Sequence, residues 1–227
     1  MTGKIITVTQ QKGGSGKTTL AAHIAVACAQ NRKLKTAILD TDPQGSLGRW
    51  FMARKENANG SGPDMTFRTA SAWGARYEAQ ALAEDHDIVV IDTPPKMGVD
   101  GRPAIETADL VVIPVAPSPV DLWATEPTIE MTRGEKKPAL MVLNRANQRA
   151  RLTAEIAEAL KELGTTAAET MIGNRIIFAS CMGDGRSVME SQRSGLAARE
   201  ILELTHEIVM SLKQQDQSRH DTSGGIF

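Results

Sequence analysis

Residues 12–19 read Lys-Gly-Gly-Ser-Gly-Lys-Thr-Thr, directly after the apolar run at residues 4–9. These residue types, in this order, suit the holding of phosphate groups. Gly13, Gly14 and Gly16 carry no Cβ, so the backbone around Ser15 can turn tightly and aim its N–H groups inward. A helix starting near Lys17 directs the positive end of its dipole at the same point. Lys17 supplies a charge for the β- and γ-phosphates of a nucleotide, and the Thr18 hydroxyl, with Thr19 beside it, can join Mg²⁺. Two glycines, a lysine and a hydroxyl are what a phosphate loop requires. Lys12, in front of the glycines, is additional. One lysine is enough within a subunit. A second points to a site completed from outside, as by a twin subunit.

Three further apolar runs end in polar residues. Residues 37–40 close on Asp40 and continue as Thr41-Asp42-Pro43-Gln44-Gly45. Residues 87–92 close on Asp92, ahead of Thr-Pro-Pro, and residues 140–144 close on Asn144. In a doubly wound sheet, ligands sit at the carboxyl ends of the strands, so these termini are candidates for one pocket with residues 12–19. The β run before Asp92 favours an acid that holds Mg²⁺ through water over a cap or turn residue. Asp40 and Asp42 stand two apart. One can orient the attacking water while the other supports the metal or the loop, or either can start the Asp-Pro turn. Asn144 matches an adenine edge and equally suits a strand ending in a turn.

These groups need a scaffold. Leu20, Ile24 and Cys28 recur at helical spacing after the loop. The chain-long pattern predicts strand 4–9, helix 17–30, strand 35–40, helix 45–56 and a Gly/Asn/Ser/Pro-rich loop at 57–64. Strand 65–69, helix 74–84, strand 87–92, helix 101–107, strand 109–114, helix 121–133 and strand 138–143 follow. Helix 151–163, a short strand near 169–172 and a closing helix at 194–213 end the pattern. Such alternation means an α/β fold, a doubly wound and mostly parallel sheet with helices on both faces. Residues 1–213 read as one domain, and the polar residues 214–227 as a mobile tail. With 227 residues, 41% of them apolar but only 4% aromatic, the core has to be built from Ala, Val, Ile, Leu and Met. Cys28 and Cys181 are far apart, lack a metal-binding pattern, and suit a reducing cytosol. Neither a leader peptide nor a membrane-spanning run is expected.

Taken together, residues 12–19, Asp40-Thr-Asp-Pro-Gln-Gly45 and Ile91-Asp-Thr-Pro-Pro95 resemble the ParA/MinD class of deviant-Walker ATPases, and within it the short ParA branch. Residues 113–121, Asn174-Arg175 and Gly185-Arg186-Ser187-Val188 add to the resemblance, which runs from about residue 3 to about residue 212. It implies an ATP- and Mg²⁺-dependent switch. ATP sandwiches two subunits, the resulting homodimer binds DNA non-specifically, and a partner protein stimulates hydrolysis. By position it makes Lys12 the cross-subunit lysine, Lys17 the in-subunit lysine and Thr18 the Mg²⁺ ligand. Asp42 becomes the residue required for hydrolysis, Asp92 the Walker B acid and Asn144 the adenine contact. Ser15 stands where valine is commonest in the family, although the short branch also uses serine.

A net charge of −1 gives no whole-chain basic signal for DNA. Between residues 133 and 151, Arg133, Lys136, Lys137, Arg145, Arg149 and Arg151 face one acid, Glu135. Arg175, Arg186, Arg193 and Arg199 form a second scatter, and the resemblance points to Arg175 and Arg193 as DNA contacts. Taken singly, each of these arginines also fits a solvated surface. In MinD a C-terminal amphipathic helix anchors the protein to membrane. Here Ile201, Leu204, Ile208 and Leu212 form a stripe, but residues 200–212 carry Glu200, Glu203 and Glu207 and no Lys or Arg. The stripe is therefore expected to pack into the core rather than on a membrane.

The expectation is a cytoplasmic, nucleoid-associated ATPase of weak basal activity. Its cargo would be a plasmid, a chromosome origin, a chemoreceptor cluster or another large assembly. The alternative is a metabolic ATP-dependent ligase of the same superfamily, dethiobiotin-synthetase-like, which has no reason to keep Lys12 with the Asp-Pro-Gln-Gly turn. A module that holds ATP and rarely hydrolyses it is a third reading, which Asp42 beside an intact Asp92 argues against.

Overall fold

The apolar runs that end in acid are unbroken because their strands are covered on both faces. In the computed structural model, which describes residues 2–57, 62–95 and 101–223, β2 (Thr36–Asp40), β4 (Ile88–Asp92) and β5 (Leu110–Val115) are buried at every residue. β1 (Lys4–Val8), β3 (Thr66–Thr69), β6 (Ala139–Leu143) and β7 (Thr166–Ala167) complete one seven-stranded sheet in the order β3-β2-β4-β1-β5-β6-β7. Every neighbouring pair is parallel.

Alternate residues of each strand serve opposite layers. Ile6, Val8, Ile38, Val90, Val112 and Leu140 face α1 (Lys17–Asn31), α2 (Ser46–Asn57), α8 (Ile176–Gly183), α9 (Val188–Ser191) and α10 (Leu196–Ser223). On the other face, Ala37, Leu39, Val89 and Ile91 pack with α3 (Ala75–Asp85) and α4 (Arg102–Glu106). Val111, Ile113 and Met141 pack with α6 (Glu126–Gly134) and α7 (Arg151–Glu162). α1 is buried far beyond the single face implied by Leu20, Ile24 and Cys28, since every residue from Leu20 to Cys28 is enclosed by the sheet, α2, α8 and α10.

Four departures from the sequence pattern have local causes. The helix expected at 121–133 is two helices, α5 (Pro119–Trp123) and α6, because Pro127 has no N–H to continue the ladder. The short strand lies at 166–167 rather than 169–172. Beyond Ala167 the chain still follows β6 through Ala168 N and Ile172 N, but the Glu169 and Thr170 amides turn to the Glu207 carboxylate at 2.8 and 2.9 Å. α8 and α9 occupy a stretch that carried no expected helix. The closing helix runs past its expected end at 213, as α10 continues to Ser223 through residues compatible with a helix and Asp216 pairs with Lys4. Residues 224–227, and 58–61 of the expected loop at 57–64, lie outside the described residues.

His23 lies wholly buried within α1, with Nδ1 2.7 Å from the Thr19 carbonyl oxygen and its ring edge-on to Phe178. Burial lowers its pKa to about 4, only partly opposed by the Thr19 bond. The unfolded chain binds this proton near pH 6.5 and the folded chain does not. His23 should therefore cost about 3 kcal/mol of stability as pH falls from 6.5 to 4. Urea unfolding at pH 7 and pH 5 should show a smaller pH dependence for His23→Gln than for the wild type, and an equal dependence would remove His23 as the cause.

Candidate nucleotide site

Strand register assembles the site. Val8 of β1 and Asp40 of β2 both lie opposite Asp92 of β4, so three strands end side by side at one edge of the sheet. The chain leaves β1 there and turns through the glycine loop into α1. Gly14 and Gly16 have φ of 78° and 92°, which only glycine adopts without strain. The turn sets Lys17, 6% exposed, on the first turn of α1. Burial lowers the Lys17 pKa, while Asp92 and then Asp42 oppose that shift.

Thr18 donates its hydroxyl to Asp92 Oδ2 at 2.6 Å. Asp92 is fully buried, and its Oδ1 has no hydrogen-bond partner among the described residues. Burial raises its pKa to about 7, against the Thr18 bond and with a further push from Asp40. A buried carboxylate oxygen without a donor, next to a threonine hydroxyl at a phosphate loop, fits a hydrated Mg²⁺. Thr18 and Asp92 are the residues that would hold it.

Asp40 has another task. Its Oδ1 accepts from the Asp42 amide and its Oδ2 from the Gly48 amide, each at 3.0 Å. It thereby braces the Asp42 turn and the start of α2 from a position opposite Asp92 in the sheet. Asp42 stands half-buried on the cleft wall, with Oδ1 accepting the Gln44 amide at 2.9 Å. Asn144 also acts on the loop. Its Nδ2 donates to the Ser15 carbonyl at 2.7 Å and its Oδ1 accepts the Arg145 amide at 3.0 Å, so the amide fastens the end of β6 to the glycine turn.

The cleft is about 510 Å³, walled by the loop residues Gly13, Gly14 and Gly16 to Thr19, with Asp42, Arg49, Trp50 and Arg145 among others. A smaller cavity of about 140 Å³ opens behind Gly16 and Thr19, between Leu20, Asn144, Ile172 and Phe178. Its apolar walls suit a base, with the phosphates in the cleft. Arg145, exposed and at φ 57°, borders both spaces. Arg49, Trp50 and Arg145 were not read as site residues. Arg145 follows Asn144 directly, which was the one available signal; for α2 only the fold shows which face meets the cleft.

Lys12 does not line the cleft. Its Nζ lies 2.7 Å from Asp121 Oδ2, on the first turn of α5, where the Ser118 hydroxyl also donates to that oxygen. The arginines expected to meet DNA are not gathered together. Arg175 makes two parallel bonds to Glu200, at 2.5 and 2.7 Å, and Glu200 also accepts the Gly173 amide, so Arg175 is committed internally. Arg199 borders a groove with Glu200, Glu203 and Glu207. In the other scatter, Arg133 donates to the Leu163 and Gly164 carbonyls and Arg151 pairs with Glu155. Arg186 and Arg193 share one groove, are exposed, and hold no ion pair among the described residues. The stripe of Ile201, Leu204, Ile208 and Leu212 is buried in the core, and no described helix is long and apolar enough to cross a membrane.

A glycine turn between a central parallel strand and a helix, with a buried lysine and a threonine–aspartate pair, defines a P-loop nucleotide-binding protein. Residues 6–188 match the family model described as the CobQ/CobB/MinD/ParA nucleotide binding domain, and the chain belongs to that family of P-loop ATPases. It is 32% identical to the maintenance of carboxysome distribution protein A of Halothiobacillus neapolitanus, over 91% of this chain and 96% of that one. It is 28% identical to the chromosome partitioning protein ParA of Myxococcus xanthus, over 50% of this chain and 52% of that one. In fold it is similar to an ATP complex of a Cyanothece McdA variant, with TM-score 0.76 and 17% identity over 92% of this chain and 96% of that one. It is likewise similar to the septum site-determining protein MinD with Mg-ADP from Pyrococcus horikoshii, with TM-score 0.77 and 16% identity over 90% and 95%.

A Cβ on Gly16 would lie 2.4 Å from Asn144 Nδ2, on a backbone already at φ 92°. Gly16→Ala is therefore expected to weaken binding of a fluorescent ATP analogue by about a hundredfold, a loss of about 2.7 kcal/mol. Adding Asn144→Ala should relieve only part of this, because the φ strain remains. Unchanged affinity in Gly16→Ala would contradict the loop geometry.

Proposed function

We propose that this chain is a ParA-type positioning ATPase that works as an ATP-dependent homodimer on DNA. The observation that carries the reading is the place of Lys12: a lysine of the phosphate loop that lies outside its own cleft, paired with Asp121. Its own subunit already has Lys17 for the phosphates. Lys12 is of use to a nucleotide only when it leaves Asp121 and enters the cleft of a second copy.

The reaction is ATP + water → ADP + phosphate. Oxygen of the attacking water bonds to the γ-phosphorus as the bond to the β-bridging oxygen breaks. Lys17 and the loop amides hold the phosphates, and Mg²⁺, when bound, supplies charge for the β- and γ-oxygens. Asp42 accepts a hydrogen bond from the attacking water and orients it. The Lys12–Asp121 pair competes with dimer formation, which supports a weak basal rate. A partner protein then accelerates the cycle.

Arg186 and Arg193, doubled by dimerisation, support non-specific contact with DNA, and hence a place in the cytoplasm on the nucleoid. The likeness to a carboxysome distribution protein over nearly the whole of both chains supports a large protein assembly as the cargo.

Lys12→Gln should bind nucleotide yet give no ATP-dependent dimer by light scattering. Asp121→Asn should dimerise at lower ATP concentrations than the wild type. A normal dimer in Lys12→Gln would remove the cross-subunit role. Asp42→Ala should bind ATP and dimerise while phosphate release falls by about 100-fold or more. Wild-type turnover in that variant would assign the water to another residue.

A further inference from the structure

α2 is tied to chemistry at its start and to a different surface at its end. Its first turn hangs on Asp40, which also holds the Asp42 amide. Its last turn is locked onto residues 184–190. Arg54, 5% exposed, donates to both oxygens of Glu190, at 2.8 and 2.7 Å, and to the Gly185 carbonyl at 3.2 Å. Its guanidinium lies 5.6 Å from the centre of the Trp50 ring. Trp50, which also walls the nucleotide cleft, donates Nε1–H to the Arg186 carbonyl at 3.1 Å. Asn57 donates to the Asp184 carbonyl at 3.2 Å. The two segments meet backbone to backbone: a Cβ on Gly185 would fall 2.1 Å from the Arg54 nitrogen.

Glu190 closes the arrangement by accepting the Ser187 amide at 2.8 Å and the Ser187 hydroxyl at 3.0 Å. Burial pushes its pKa up, but the Arg54 bonds and charge together with the two Ser187 bonds outweigh burial and keep it below the ordinary value. A buried ion pair adds little stability over apolar packing of the same volume, yet it accepts only one geometry. Here it fixes α9 relative to α2.

Beside this pair lies a groove of about 510 Å³. Its charged residues are Arg54, Glu190, Asp184, Arg186 and Arg193. Arg54 and Glu190 neutralise each other, which leaves two free guanidiniums against one carboxylate. That balance suits the singly charged phosphodiesters of a nucleic-acid backbone.

We infer that Arg54 is a positioning residue: through Glu190 it holds Arg186 and Arg193 for the backbone phosphates of duplex DNA, and through α2 it ties their placement to the Asp42 turn. The inference rests on the reading that the ATP-bound chain binds DNA. A shift of the Asp42 turn against a γ-phosphate moves α2, and the fixed attachments carry residues 184–193 with it.

The test uses the full chain as wild type, Arg54→Lys, Arg186→Ala/Arg193→Ala, and all three substitutions combined. Lysine keeps a charge for Glu190 but not the parallel bonds or the stacking on Trp50. Retention on a random-sequence duplex is measured with ATP, ADP and no nucleotide at two salt concentrations. Amide hydrogen exchange of residues 184–193 is followed with the same nucleotides. Loss of both arginines should weaken ATP-dependent retention by about tenfold or more and flatten its salt dependence. Arg54→Lys should lose a comparable amount with nucleotide binding intact, and the combined variant should be no weaker than the arginine pair alone. ATP should alter exchange at 184–193 in the wild type and not in Arg54→Lys. Wild-type retention by Arg54→Lys, additive losses, or a wild type whose 184–193 amides ignore ATP would each overturn the inference. A wild type that ignores DNA overturns the DNA reading and the phosphate groove together, and exchange at 184–193 then decides the link from Asp42 to α9 by itself.

Discussion

The site depends on one alignment: Val8, Asp92 and Asp40 stand abreast at the carboxyl edge of three neighbouring parallel strands. Because β1 lies beside β4, the loop that leaves Val8 returns over Asp92, and Thr18 meets that carboxylate at 2.6 Å. Because β2 flanks β4 on its other side, the Asp42 turn overhangs the same point. A slip of one residue in either pairing would turn the acid into the opposite layer of the core, since strand side chains alternate.

Charge burial makes this edge reactive. Lys17 and Asp92 are both taken from water, and burial is the largest influence on each, drawing the lysine pKa down and the aspartate pKa up. Groups held this way gain from any ligand that completes their coordination. Phosphates and a hydrated cation do so, and the cation's water shell would supply the donor that Asp92 Oδ1 does not find among the described residues. The same economy governs the rim, where Lys12 rests on Asp121 rather than on phosphate.

Much of this was legible in the chain. The phosphate loop, Asp40 and Asp92 stand out because their signals are local, a glycine turn, a lysine and acids that end apolar runs, whereas the part given to Asp42 comes from the resemblance. The α/β class followed from alternating patterns, and most strands fall within a residue or two of their expected bounds. What could not be read depended on contacts distant in sequence. By sequence Asn144 suits a base edge and a turn equally, and its hydrogen bond to the Ser15 carbonyl, 129 positions away, is visible only in the fold. Arg175 is paired with Glu200 of α10, 25 positions on, a partner that no local pattern announces. The interruption after β7 comes from Glu207, whose carboxylate captures two strand amides. α8 and α9 are short, and their fixing points, Trp50 and Arg54, lie on α2.

The enclosure of α1 bears on how the molecule is made. The helix that begins with Lys17 leaves the ribosome well before α10, which covers one flank of it. Until Ile201, Leu204 and Ile208 emerge, that flank offers apolar surface to whatever is nearby. A growing chain can form its glycine turn early but cannot seat the helix behind it. Nucleotide handling is in this way deferred until α10 has been made, and a product that stops short of it would be a client for chaperones or proteases rather than a switch stuck in one state.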